Sequence, residues 1–156
     1  MRPFHIAAID THSRYTASNA DPLLDLGREQ NELVSRLEIR EGTFSGDLPY
    51  LVLGSGEPLV YLCGFTLDHR NPRPGLERTL TLRTLTPLAR AGFQVYFTNR
   101  WPGMAPDTTF AQIAERHAEA IRDHFDRPVN VLGASTGGSL ALQLIADRPD
   151  VVRKAV

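Results

Sequence analysis

Ser135 is the residue of this sequence best set to do chemistry. It stands in Gly133-Ala134-Ser135-Thr136-Gly137, a G-x-S-x-G pattern. Five positions with three fixed are a weak signal alone, and the setting supplies the rest. The apolar run Val129 to Leu132 leads straight into the pattern, and the small-residue run Gly137-Gly138-Ser139-Leu140-Ala141 leads straight out. A strand that bends sharply into a helix lifts the residue at the bend to the carboxyl end of the sheet, where open α/β sheets bind ligands. A serine there reads as a nucleophile. So sharp a bend strains the backbone, and bulky side chains two positions to either side would collide with it or with the neighbouring strand. Gly133 and Gly137 remove those side chains, and Gly138 reads as the residue that lets the helix close onto the sheet.

A serine that attacks a carbonyl needs donors for the oxyanion it creates. The first amides of a helix have no partner within it, which offers the amide of Thr136. The second donor is expected from Cys63-Gly64-Phe65-Thr66, the loop after the third strand, with the amide of Phe65 the best choice because Gly64 permits close approach. The serine also needs a base, and the base an orienting acid. The residues after Ser135 contain no His, and their acids, Asp147 and Asp150, fall at the end of the helix that follows the bend. All five His precede the serine. His5 and His12 lie in the N-terminal stretch, His117 and His124 read as structural residues of a helix, and His69 reads as a solvated loop residue. Cys63 reads as a buried small apolar residue, not a nucleophile. Trp101 and Phe65 stand open between lining a pocket and packing. No metal site and no cofactor are expected. Gly54-Ser55-Gly56 reads as a hairpin turn, because no third glycine follows at dinucleotide-loop spacing and no helix opens there.

The elements that must position these residues follow from pattern. Residues 1–32 read as a flexible N-terminal extension, polar from His12 to Asp21 with no sustained period. Arg36 to Arg40 alternates as a half-buried strand, punctuated by Gly42. Tyr50 to Leu53 and Pro58 to Leu62 read as the next two strands, the first two forming an antiparallel edge hairpin. A helix is expected from about Glu77 to Ala91, with Leu80, Leu85, Leu88 and Ala89 on its buried face, Gly92 at its end, and Pro87 kinking it or moving its start towards Thr84. Phe93 to Phe97 is a strand. Thr109-Phe110-Ala111-Gln112 forms a capping box that opens an amphipathic helix ending near Phe125. Pro128 to Leu132 is a strand, Ser139 to Ala146 a helix, and Val151 to Val156 the start of another strand. Strands alternating with helices from Pro58 onward imply a mostly parallel sheet flanked by helices, hence an α/β fold.

Bulk properties narrow the partners. The chain has 156 residues, suited to one domain, with 42% hydrophobic and 22% charged residues. Its 17 basic and 18 acidic residues leave a net charge of −1 and no electrostatic reason to bind nucleic acid or an anionic membrane. A single cysteine excludes an intrachain disulfide. With no long apolar run and no clear leader, the expected setting is cytoplasmic.

Several segments together resemble the α/β-hydrolase fold family of the serine-hydrolase type, in its N-terminal portion only. Leu59-Val60-Tyr61-Leu62-Cys63-Gly64-Phe65 resembles that family's third strand and the His-Gly segment after it. Val131 to Gly138 resembles its nucleophile elbow, and Asp147 to Val152 the approach to its sixth strand. Cys63 stands where the family often has His, and Asn99-Arg100-Trp101-Pro102-Gly103-Met104 keeps only part of its Gly-rich segment. The resemblance implies an incomplete α/β-hydrolase domain over residues 33–156 that ends at the start of the sixth strand. It implies a triad in the chain order serine, acid, histidine, of which this chain carries only Ser135. The full-length parent would be a hydrolase acting on a small ester, thioester or other acyl substrate, with this chain not competent by itself. A serine at this position argues against epoxide hydrolase and haloalkane dehalogenase chemistry, which in this family uses Asp there. The alternatives are an acyltransferase, or a non-catalytic or decayed fragment that needs a partner chain to complete its sheet. An open edge beside the strand ending at Leu132 would then invite self-association.

Overall fold

The structure is a computed structural model and describes residues 37–45, 47–66 and 68–156. The N-terminal extension expected over residues 1–32, and Arg36 of the first expected strand, lie outside the described residues.

Six strands form one sheet: β1 (Ile39–Phe44), β2 (Leu48–Leu53), β3 (Glu57–Leu62), β4 (Phe93–Thr98), β5 (Val129–Gly133) and β6 (Val152–Ala155). Their order across the sheet is β1-β2-β4-β3-β5-β6. β1 and β2 pair antiparallel, as does β2 with β4, while β4, β3, β5 and β6 run parallel. Among the described residues three helices flank the sheet, α1 (Leu76–Arg90), α2 (Phe110–His124) and α3 (Thr136–Asp147), with a 3-10 turn at Pro149–Val151 before β6.

Alternation along the strands sorts side chains to two layers. Val60 and Leu62 of β3, Tyr96 of β4 and Val129 and Val131 of β5 meet Ile113, Ala118 and Ile121 of α2 and Leu140 and Leu144 of α3. Leu59, Val95 and Phe97 point the other way, onto Leu82, Leu85 and Ala89 of α1. Helices therefore cover both faces, as the alternation of strands and helices requires. The capping box forms as read: Thr109 Oγ1 accepts from the Gln112 amide at 3.3 Å, and Gln112 Oε1 accepts from the Thr109 amide at 2.8 Å.

Several local expectations change. β1 begins at Ile39 and runs through Gly42 instead of stopping there. The Tyr50 ring of β2 lies over that glycine, so close that a Cβ would fall 2.5 Å from it. The missing side chain thus makes room for a cross-strand aromatic. Helix α1 starts at Leu76 and continues through Pro87. Pro87 sits in the last turn, where its lost N–H breaks little, and the Ala91 amide still closes onto the carbonyls of Pro87 and Leu88 at 3.0 and 3.1 Å. The buried face of α1 is Leu82, Leu85, Thr86 and Ala89, while Leu80 is exposed. Thr86 joins the core because its hydroxyl donates to the Leu82 carbonyl at 2.7 Å, which satisfies it within the helix.

Gly54-Ser55-Gly56 is not a hairpin turn. β4 occupies the place between β2 and β3, so the connection steps across it. Both glycines press on the start of β4: a Cβ on Gly54 would meet the Phe93 carbonyl at 2.6 Å, and one on Gly56 the Gly92 carbonyl at 2.2 Å. Nor is the edge of β5 open. β6 pairs along it from Val129 to Val131, and the Gly133 amide donates to the Val156 carbonyl at 2.9 Å.

Candidate active site

β5 ends at Gly133, and α3 begins at Thr136. Ser135 lies between them with φ 55° and ψ −123°, one of only two non-glycine residues at positive φ among the described residues. L-residues avoid this conformation, and the surrounding structure must hold it. The turn is closed by the Gly137 amide on the Ala134 carbonyl and the Gly138 amide on the Ser135 carbonyl, both at 2.8 Å. Ser135 is exposed, and its hydroxyl makes no capping bond to α3. A serine at a helix start ordinarily spends its oxygen on the helix amides. This one does not.

The flanking glycines are needed for two different contacts. A Cβ on Gly133 would lie 2.3 Å from the Gly137 carbonyl oxygen, inside the bend itself. A Cβ on Gly137 would lie 2.0 Å from the Leu62 carbonyl oxygen and 2.7 Å from that of Cys63, so this residue lets α3 meet the end of β3. Gly138 does not have the role expected of it, since a Cβ there would meet Gly133 O at an ordinary 3.5 Å.

β3 and β5 are neighbours, with Leu62 opposite Gly133, so their loops leave the sheet side by side. The Ala134 amide donates to the Leu62 carbonyl at 3.1 Å. A Cβ on Gly64 would stand 3.3 Å from Ser135 Cβ and 3.8 Å from its Oγ. The loop after β3 therefore passes directly beside the serine, and Phe65 follows as an exposed residue, 73% accessible, outside the core. Trp101 is partly buried and packs against the core layer under α2 and α3, with the Arg116 guanidinium 4.4 Å from its ring centroid.

Neither a protein-family model nor a curated protein matches this sequence. Solved structures do match its fold. An α/β superfamily hydrolase from Oenococcus oeni is similar with a TM-score of 0.56 and 25% identity, over 74% of this chain and 42% of its own. An epoxide hydrolase from an endophytic Streptomyces gives a TM-score of 0.58 and 17% identity over 76% of this chain and 36% of its own. The thioesterase domain from the curacin biosynthetic pathway gives 0.56 and 18% over 76% and 43%. The fold is that of the α/β hydrolases. The chain spans less than half the length of each of these structures, so it holds part of that fold.

In this part of an α/β-hydrolase fold, a buried polar cluster lies at the end of β4 that sequence reading passed over. Asn99 and Arg100 directly follow the strand and are both buried. Asn99 Nδ2 donates to Thr66 Oγ1 at 2.8 Å and to the Arg70 carbonyl at 3.3 Å, and its Oδ1 accepts the Arg100 amide at 2.8 Å. The Arg100 guanidinium donates to the Gly64 carbonyl and to Thr136 Oγ1, each at 3.3 Å. The available signal was three polar residues, Thr98-Asn99-Arg100, running on from an apolar strand at the ligand-binding end of the sheet.

His117 closes the cluster from α2, fully buried, with Nδ1 2.8 Å from the Ile113 carbonyl. Burial holds its imidazole down at about 4 from an ordinary 6.5, against the weaker pull of the Ile113 and Asn99 carbonyls. Below pH 6.5 the unfolded chain takes up a proton that the folded chain refuses. Stability is therefore full above that pH, declines as pH falls towards 4, and levels off below. Between pH 7 and pH 5 the loss from this residue is expected to be about 2 kcal/mol. Urea midpoints across that range check it, and a His117→Gln variant that keeps the full slope would assign the dependence elsewhere. His124 rests its ring edge-on against Phe44, Tyr96 and Phe125 at 4.8, 5.4 and 4.7 Å. His69 is half-buried, not solvated, with its Nδ1 shielded and unpartnered.

Cys63 is buried, and burial pushes its thiol up to about 11. The thiolate is the reactive form. In the native protein at pH 8, iodoacetamide is expected to label Cys63 only as fast as unfolding exposes it. Labelling at the rate of a free thiol, followed by mass spectrometry, would contradict that. Among the described residues no three of His, Cys, Asp and Glu gather as a metal site, and no helix is long and apolar enough to cross a membrane.

Proposed function

We propose that the whole protein containing this chain is a serine hydrolase that opens an ester, thioester or amide through an acyl-enzyme on Ser135. One observation carries the reading: an exposed serine, its hydroxyl uncommitted, on a positive-φ bend between a parallel strand and a helix. The hydroxyl oxygen attacks the carbonyl carbon, and the carbonyl π electrons move onto oxygen. That oxyanion is held by the amides of Thr136 and Phe65. A base takes the Ser135 proton and delivers it to the departing alcohol, thiol or amine as the tetrahedral intermediate collapses. Water then repeats the sequence on the acyl-enzyme and returns the serine. An acyltransferase would differ only in the acceptor.

Base and acid come from the remainder of the whole protein, or from a partner chain. His117 and His124 are both committed to packing. The exposed side chain of Leu142, together with the outer side of β6, fits a sheet that continues beyond β6.

A fluorophosphonate probe tests the proposal on the whole protein. The adduct is expected on the peptide that contains Ser135, by mass spectrometry. Ester turnover with the label on a different residue would overturn it.

A further inference from the structure

The oxyanion donors of the proposed reaction lie on two separate segments, the loop after β3 and the start of α3. Each leaves its own strand, and a donor contributes only if both point at one spot. Arg100, from the end of β4, touches both segments: one terminal guanidinium nitrogen donates to the Gly64 carbonyl and the other to Thr136 Oγ1. We infer that Arg100 is a positioning residue that clamps the two halves of the oxyanion hole into register. This rests on the serine-hydrolase reading.

Peptide geometry makes the contact specific. The Gly64 carbonyl and the Phe65 N–H belong to one planar trans peptide unit, so they point in opposite directions. A guanidinium that holds the carbonyl on one side aims the Phe65 N–H at the other. A charged donor on that carbonyl also polarises the unit and strengthens its N–H as a donor. The second bond falls on the residue whose own amide is the other donor. The guanidinium is planar and rigid, so its two nitrogens hold the segments at a fixed separation, which a lysine ammonium cannot do. Asn99 supports the same loop further along, through Thr66 and the Arg70 carbonyl, and its Oδ1 holds the Arg100 amide.

The partners of Arg100 are neutral acceptors, and none of the ion pairs among the described residues involves it. Burying a charge costs desolvation, and hydrogen bonds to neutral acceptors offset only part of that cost. Its placement makes sense for orientation.

The test uses the whole protein and a chromogenic ester. Arg100→Met is expected to lower kcat about 10- to 100-fold with KM changed less than threefold, and Arg100→Lys to recover only part of the loss. Thr136→Val, which removes one acceptor without disturbing the bend, is expected to lower kcat severalfold. The double variant should be no worse than Arg100→Met alone. Retention of kcat within twofold by Arg100→Met, a loss confined to KM, or full multiplication of the two effects overturns the clamp. If Arg100→Met does not fold, Thr136→Val decides alone, and unchanged kcat there overturns it. The underlying reading fails separately, if Ser135→Ala keeps its turnover. In that case amide resonances still judge the clamp: those of Phe65 and Thr136 should shift in Arg100→Met, and unmoved peaks would refute it.

Discussion

Replacing Ser135 with alanine is expected to lower ester turnover by the whole protein at least 10⁴-fold, with the fold intact. The magnitude follows from the role: without the hydroxyl there is no acyl-enzyme, and what remains is the activity of a site that binds and polarises without attacking. The fold should survive because the side chain is exposed and holds no helix cap. The backbone at φ 55° stays strained in alanine. Ser135→Gly should be equally inactive and more stable than wild type, by about 1–3 kcal/mol, because glycine adopts positive φ freely. Chemical denaturation of the three proteins beside steady-state turnover checks both halves. An active alanine variant would remove Ser135 from the chemistry, and a glycine variant less stable than wild type would mean that the bend is not where strain is stored.

The second large effect concerns two adjacent glycines with opposite expected signs. Gly137→Ala puts a Cβ 2.0 Å from the Leu62 carbonyl oxygen and 2.7 Å from the Cys63 one. Both are backbone atoms at the end of a central strand, so neither can rotate aside. Either α3 or β3 must shift, and the elbow and the loop carrying Phe65 shift with it. A loss of about 3–5 kcal/mol is expected, a large part of the whole stability of a domain. Gly138→Ala meets only an ordinary contact at 3.5 Å, and alanine gains about 1 kcal/mol over glycine inside a helix. Urea midpoints of the two variants should move in opposite directions. Equal shifts would show that the approach of α3 to β3 is not what Gly137 serves.

Several features of this protein were legible from local pattern, for one physical reason: they depend on neighbours in the chain. The capping box needs only Thr109 and Gln112, three residues apart, and it forms. The strand, bend and helix around Ser135 follow from an apolar run, glycines at fixed offsets and a small-residue run, all contiguous. Alternation of strands and helices gave the α/β class, and the resemblance gave the α/β-hydrolase fold that solved structures share.

What local pattern could not decide is who lies beside whom. β4 inserts between β2 and β3, although nothing in Gly54-Ser55-Gly56 announces a strand arriving from forty residues later. Gly42 looks like a strand breaker until the Tyr50 ring lies over it. Thr86 looks like a solvent residue, yet a hydroxyl bond within its own helix lets it be buried. Arg100 looks like a surface charge at a strand end, and its meaning rests on two acceptors each thirty-six residues away. Sequence alone therefore determined the elements and the bend that carries the serine. Only tertiary structure decided strand order, the roles of Gly42, Gly54 and Gly56, and the buried guanidinium, because contacts between distant residues leave no period in the chain.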